Sequence, residues 1–299
     1  MAASKLGPDL VIAGAARSGT SALAAQLSSH PDIDAGSIKE SNYFSRDLGR
    51  GPCWYDGLYR DRRAGLLRMD ASTSYTSAVY PDALARLAAA APDALVVYVV
   101  RQPTERALSH YLFRRHHFRI DDATDFGSAL AASSYYLDAS DYARWLAQLR
   151  ALFGEQQVLV VPFEVVTTSP QDATTQISSQ LGLAAPTAAA QQGRRHRNDV
   201  VEYRNAATQR AARMLRRSPL YPRLRATLGA DRVREARELF TRQPRLPSTA
   251  EAMASCTPEQ LDRLRRLDER AGAAVQDHLV GQDARLGLGW APKSFAAGA

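Results

Sequence analysis

Cysteine is scarce: Cys53 and Cys256 are the only two in 299 residues. They lie far apart and outside any C-x-x-C spacing, which argues against a disulfide framework and against a cysteine-built zinc site. No metal is expected, and a reduced, cytoplasmic setting fits that usage. Long apolar runs are missing as well. No stretch approaches the roughly 18 consecutive apolar residues that span a bilayer. The opening MAASKLGPDL also has no apolar core of signal-peptide length. The expectation is a soluble chain with no transmembrane segment. No internal repeat is present.

Apolar residues make up 45% of the 299, enough to bury a substantial core. That size fits one large α/β domain or two small ones. The expectation is one domain over 1–299, with an α/β core at 1–190 and a basic loop, helical lid and C-terminal helix at 191–299. The 38 lysines and arginines against 31 aspartates and glutamates give a formal charge of +7. Such an excess favours anionic ligands or surfaces, although an arginine-rich composition alone produces the same balance.

Three brief, β-branched runs read as buried parallel strands: LVIAG (Leu10–Gly14), ALVVYVV (Ala94–Val100) and QVLVVPFE (Gln157–Glu164). GLLRMDAS, Gly65–Ser72, is a weaker fourth. Helical patterns over Ser18–Ser29, Pro81–Ala91, Thr104 to about His117 and Ser140–Phe153 alternate with them. A further helix opens with Ser169 as N-cap and Pro170 in its first turn. This alternation predicts an α/β fold, a three-layer parallel sheet with helices on both faces. After about Gln191 the pattern loosens, and twelve arginines fall between Arg204 and Arg245. Order returns after Thr257, where Thr257 and Gln260 form a capping box. Leu261, Leu264, Leu267, Ala271, Val275 and Leu279 then mark one apolar face.

The stretch VIAGAARSGTSAL, Val11–Leu23, has the layout of a phosphate-binding loop without the GK[ST] ending. Amides at a helix N-terminus, with aligned peptide dipoles behind them, attract anions, and small residues let a phosphate approach. Arg17 adds a fixed positive fork, and Thr20 and Ser21 add hydroxyls. The lysine and hydroxyl that would hold outer phosphates and magnesium are absent. Alone, the turn is equally a structural connection. A second strand-to-helix junction, YVVRQPTERALSHY, sets Arg101 at a strand end and Ser109 on the next helix. In a parallel sheet both junctions lie at the carboxyl edge, where crevice ligands bind. The plainer reading is an Arg101–Glu105 ion pair with Ser109 on the surface.

In this order and at these distances, GAARSGTSAL, HPDI…KESNYF, WYDGLY, DASTSY and RQPTERALSHY resemble the PAPS-dependent sulfotransferase family. The nearer likeness is to its carbohydrate branch of heparan sulfate type, whose members carry K-E-x-x-[FY]-F after the first helix. The resemblance is strong from Asp9 to Tyr111 and continues weakly through VVPFE near Glu164 and the C-terminal LGLGW. It implies a P-loop-like fold and 3′-phosphoadenosine 5′-phosphosulfate (PAPS) as donor, with no metal required. It further implies that Arg17, Ser18, Gly19, Thr20 and Ser21 cradle the 5′-phosphosulfate and that Arg101 and Ser109 hold the 3′-phosphate. The family commonly has lysine where Arg17 stands, and arginine gives up a proton far less readily.

Sulfuryl transfer is an in-line displacement that needs a base on the acceptor side and fixed cations on the leaving side. By resemblance Glu40 is that general base, with Lys39 aligning base or donor. An exposed Lys39–Glu40 pair is the plainer alternative. His110, His116 and His117 are runner-up bases or acceptor contacts. The family also implies a basic loop near GRRHRNDV, making Arg194, Arg195 and Arg197 candidates to cover the adenine and 3′-phosphate, with a solvated charge run as the alternative. Tyr203–Pro247 is either a helical lid or a solvated surface. The partners expected are a carbohydrate or small-molecule acceptor; a homodimer is compatible, and nucleic acid is not expected. A P-loop nucleotide or small-molecule kinase is the competing enzyme, disfavoured by the missing GK[ST] and by the lack of an acidic metal ligand closing a strand. An arginine-rich nucleic-acid module would need more interleaved aromatics than Tyr203 and Tyr221.

Overall fold

The computed structural model describes residues 7–60, 65–118, 120–185, 202–218, 232, 236 and 239–279. Strands β1 (Leu10–Gly14), β2 (Ile33–Asp34), β3 (Leu67–Asp70), β4 (Leu95–Val100) and β5 (Val158–Pro162) form a parallel sheet ordered β2-β3-β1-β4-β5. β1, β4 and β5 are buried at every position, which is why they read as unbroken apolar runs rather than alternating ones. A separate ribbon pairs β6 (Glu202–Tyr203) with β7 (Thr241–Arg242) in antiparallel fashion.

In chain order the helices are α1 (Thr20–Leu27), α2 (Pro52–Asp56), α3 (Ala83–Ala90), α4 (Pro103–Leu112), α5 (Phe126–Ala132), α6 (Tyr135–Asp138), α7 (Tyr142–Phe153), α8 (Phe163–Thr168), α9 (Pro170–Gln180), α10 (Ala206–Arg217), α11 (Thr249–Ala254) and α12 (Pro258–Leu279). α1 packs with α9 and α9 with α8, while α3, α7 and α12 form the opposite layer. The structure therefore has the three-layer α/β arrangement expected from the sequence. The boundaries shift where local chemistry decides them. The first helix begins at Thr20, not Ser18, because Gly19 sits in the left-handed region at φ 89°. The fifth strand stops at Pro162, which leads directly into α8. The helix expected to run to His117 is α-helical only to Leu112 and continues as a wider π-helical turn, Phe113–Phe118.

The long C-terminal helix is tied to both halves of the core. Thr257 and Gln260 exchange the two bonds of a capping box, at 2.9 and 3.3 Å. Ala271, Val275 and Leu279 enter the main core, whereas Leu264 and Leu267 enter a second cluster with α4, α5, α6 and α11. Each fully buried leucine or valine of this stripe contributes about 1.5–3 kcal/mol. Halfway along it, Asp268 accepts from the Thr104 amide and from Gln102 Nε2, both at 2.9 Å. That carboxylate serves as the N-cap that Gln102 itself does not provide for α4. The start of α4, two residues past Arg101, is therefore fixed from across the fold.

β3 ends on Asp70, which is buried and accepts four hydroxyl bonds: from Ser72 (2.5 Å), Ser41 (2.6 Å), Tyr75 (2.7 Å) and Tyr55 (3.1 Å). Tyr43 stacks on Tyr55 at 4.6 Å, and Phe44 meets Tyr55 and Tyr75 edge-on. Aromatic packing and one carboxylate thus anchor the whole segment after β2. Burial pushes the Asp70 carboxyl above its ordinary range, and the hydroxyl bonds pull it only partly back. Asp70→Ala strands four buried hydroxyls and is expected to cost about 3 kcal/mol in urea denaturation. A carboxyl with a raised folded value contributes most below the ordinary carboxylate range, and that part is lost as pH rises through the raised value. The wild-type advantage over Asp70→Ala should therefore narrow with rising pH across this window; a widening advantage would contradict the assignment.

Candidate active site

At the carboxyl edge of the sheet an open cleft of about 1800 Å³ lies over the ends of β1 and β4. The chain leaves these neighbouring strands in opposite directions, so the cleft occupies the switch point of the sheet. Gly14 closes β1 where a Cβ would stand 2.3 Å from Thr76 Oγ1 and 2.9 Å from the Tyr98 ring. Gly19 opens α1 with a positive φ, and a Cβ there would press on Phe163 at 3.1 Å. Between them Arg17 holds φ 72°, unusual for a residue with a side chain. Its guanidinium lies 4.2 Å over the Phe113 ring and its Nε donates to Ser109 Oγ at 3.3 Å.

Arg17, Gly19, Thr20 and Ser21 line the cleft at the N-terminus of α1, where the helix dipole favours an anion. Ser18 does not. It is fully buried beneath the loop, and its amide donates to the Ala15 carbonyl at 3.1 Å, so the expectation that it faces the ligand is corrected.

Across the cleft, the Arg101 backbone is held by the Tyr142 hydroxyl, which donates to its carbonyl at 2.7 Å and accepts from its amide at 3.2 Å. The Arg101 side chain pairs with Glu105 at 3.3 Å and lies 4.6 Å over Phe163, yet it still lines the cleft. The ion pair of the plainer reading forms without withdrawing the arginine. Its buried Nε has no hydrogen-bond acceptor among the described residues. Ser109 lines the same wall. Arg17 and Ser109, expected at different ends of a ligand, touch each other.

Glu40 lines the cleft with its side chain 38% exposed and accepts from Lys39 Nζ at 2.7 Å. Its backbone is firmly seated: Asn42, at φ 51°, donates from Nδ2 to the Glu40 carbonyl (3.0 Å) and receives Ser74 Oγ at Oδ1 (2.7 Å), while its amide donates to Ser72 Oγ (2.9 Å). Lys39 reaches the cleft only through Glu40. Of the three histidines, His110 alone lines the wall. His117 is buried and stacked on Phe113 at 4.8 Å.

Arg106 was not singled out in the sequence. It is fully buried and bonds Ser140 Oγ (2.6 Å), the Tyr136 carbonyl (2.5 Å), the Ala16 carbonyl (3.1 Å) and His110 Nδ1 (3.1 Å). The available signal was an arginine one turn before a histidine, sharing a helix face with Pro103 and Ala107. Burial, then Arg106, Arg114 and Arg17, hold the His110 imidazole well below its ordinary range, so it is neutral and a weak base. Arg114, over the Tyr135 ring at 4.6 Å, and Arg46 also line the cleft. Four guanidinium groups then face two carboxylates, Glu40 and Asp121, giving a positive wall.

Arg194, Arg195, Arg197 and LGLGW lie outside the described residues. Of Tyr203–Pro247, the described part includes α10, capped by Asn205, and the β6–β7 ribbon. Among the described residues no group of three or more His, Cys, Asp or Glu could hold a metal ion, and no helix is long and apolar enough to cross a membrane.

Residues 7–219 match the family model described as a sulfotransferase domain. Human heparan sulfate glucosamine 3-O-sulfotransferase 3B1 is 30% identical over 187 residues, covering 60% of this chain and 47% of that protein. Mouse heparan sulfate glucosamine 3-O-sulfotransferase 6 is 38% identical over 105 residues, covering 35% of this chain and 30% of that protein. The chain spans about half the length, or less, of these curated relatives. A sulfotransferase from Alicyclobacillus acidocaldarius superposes with a TM-score of 0.50 at 27% identity, over 60% of this chain and 83% of that one. With the family model covering well over half of its residues, and with the cleft at the expected sheet edge, the chain belongs to the sulfotransferase domain family.

Proposed function

We propose that this protein transfers a sulfuryl group from PAPS to a hydroxyl or amine of a carbohydrate or small-molecule acceptor. The observation that carries this reading is the joining of two cationic strand ends, Arg17 with the α1 amides and Arg101 with Ser109, in one cleft with Glu40. The buried Arg101 Nε without a protein acceptor fits an anionic group of the donor, as does the glycine-lined approach at Gly19. When bound, PAPS supplies the activated sulfuryl group. Arg17, Gly19, Thr20 and Ser21 hold the phosphosulfate end, and Arg101 with Ser109 holds the 3′-phosphate. Because Arg17 reaches Ser109, it bridges the two sets. Its fixed charge stabilises negative charge on the leaving oxygen without giving up a proton.

Glu40 removes the acceptor proton, and Lys39 sets the direction of its carboxylate. The relatives named for heparan sulfate favour a carbohydrate acceptor. A kinase is not favoured, since Thr20 follows Gly19 at the position where GK[ST] requires the lysine that holds the outer phosphates. Cys53 and Cys256 are free thiols, in keeping with the reducing, cytoplasmic setting we assign to the reaction.

Adenosine 3′,5′-bisphosphate (PAP) should bind in calorimetry without magnesium. Arg101→Ala should weaken it by about 1.5–3 kcal/mol, the range for hydrogen bonds to charged groups. Magnesium dependence or a preference for ATP would overturn the reading.

Glu40→Gln keeps size and hydrogen bonding but loses basicity, so turnover of labelled donor with an accepted sugar should fall by roughly two to four orders of magnitude. PAP affinity should stay within a factor of about two. Lost PAP affinity with intact turnover would make Glu40 a structural residue.

A further inference from the structure

We propose that His110 is a neutral, fixed hydrogen-bond donor to the sulfuryl oxygens of the bound donor, and that Arg106 is the positioning residue that fixes its tautomer. This rests on the sulfotransferase reading above. His110 is only 7% exposed, yet it lines the cleft. Its Nδ1 lies 3.1 Å from Arg106 Nη1. A guanidinium has donors only, so Nδ1 must accept, and in a neutral imidazole the ring proton then sits on Nε2. Nδ1 is turned to Arg106, Tyr135 stands 5.2 Å away and Tyr136 meets the ring edge-on at 5.5 Å. The Nε2 edge is left for the cleft, and no group among the described residues accepts from it.

Arg106 cannot turn away. Ser140, the Tyr136 carbonyl and the Ala16 carbonyl hold the rest of its fork, and Ala16 directly precedes Arg17. The loop that carries Arg17 and the ring that carries Nε2–H are therefore set by one rigid group. The charged groups facing His110 are Arg106 from its own helix, Arg114 from the following turn and Arg17 from the loop. The neighbouring α6 supplies only the phenols Tyr135 and Tyr136, the latter donating to Asp121. Three cations around a buried imidazole keep it neutral, so no proton is transferred by this group. It adds an uncharged donor where a fifth cation would be repelled. Glu40 remains the base.

The test compares PAPS with PAP, which differ by the sulfuryl group alone. His110→Leu removes the donor at similar volume, whereas His110→Gln keeps an N–H near the Nε2 position. Without acceptor, calorimetry should show His110→Leu weakening PAPS about ten-fold while PAP changes less than about two-fold, and His110→Gln recovering most of the loss. The low-pH limb of kcat/KM should be the same in wild type and His110→Gln, because a ring held well below its ordinary range is already neutral where the enzyme works. Equal weakening of PAP and PAPS, or no change in either, overturns the assignment, the first pointing to a structural role. Loss of the low-pH limb in His110→Gln overturns it in favour of a histidine base. If wild type binds PAP normally, any of these failures leaves the sulfotransferase reading standing; if wild type binds neither nucleotide, both readings fail.

Discussion

One buried guanidinium, that of Arg106, is the constraint on which the cleft depends. Removing an arginine from water is costly unless its donors are satisfied. Here the fork is engaged by Ser140, Tyr136, Ala16 and His110, and every acceptor is uncharged. Hydrogen bonding is satisfied, while the positive charge is left without a carboxylate partner in that set. Its field therefore adds to that of Arg17 and the α1 dipole at the same sheet edge. A group that ties the β1–α1 loop to α4 and α6 also raises the pull of that loop on an anion.

Two carboxylates hold the rest of the rim. Asp268 reaches from α12 to cap α4 at Thr104, which sets the residues after Arg101. Asp70, at the end of β3, gathers Ser41, Ser72, Tyr55 and Tyr75 and so seats the segment that carries Glu40. Each acts on the backbone or on supporting side chains, not on the cleft itself. A site built this way has its geometry set before any ligand arrives, which is the condition for electrostatic stabilisation without reorganisation.

The parts legible in the sequence were those with local signals. LVIAG, ALVVYVV and QVLVVPFE are strands because both faces are buried, and Thr257 with Gln260 announces the helix that follows. The two strand-to-helix junctions could be placed on one edge because parallel strands share an end. What was hidden is tertiary. β2 is two residues long and has no pattern to read. Ser18 looks like its neighbours in RSGTS, and only the left-handed Gly19 decides that the helix starts after it. Arg106 bonds Ala16 from 90 residues away, and Asp268 caps an amide 164 residues away; no spacing rule reveals either contact. The family resemblance assigned Arg17 and Ser109 to different ends of the donor, yet these residues, 92 apart in sequence, meet once α4 is docked.

Glu40 and His110 face the same cleft under opposite conditions, and the contrast follows from what surrounds each. Glu40 has its backbone clamped by Asn42, Ser72 and Ser74, but its carboxylate stays partly in solvent beside one lysine. Its position is set through the backbone, while the side chain itself faces the cleft. His110 is enclosed, bonded at one nitrogen and ringed by guanidinium groups, which hold it neutral. The two walls therefore differ in kind: one presents an open carboxylate, the other an enclosed neutral imidazole. Of the arginines that line the cleft, Arg17 stands on the β1 loop, Arg101 at the end of β4 and Arg114 in the turn after α4, around the two strand-end exits of the sheet, with Arg46 on the segment after β2. The parallel strand order thus sets where the strand-end arginines stand, and Glu40 faces them from the segment after β2, which Asp70 seats.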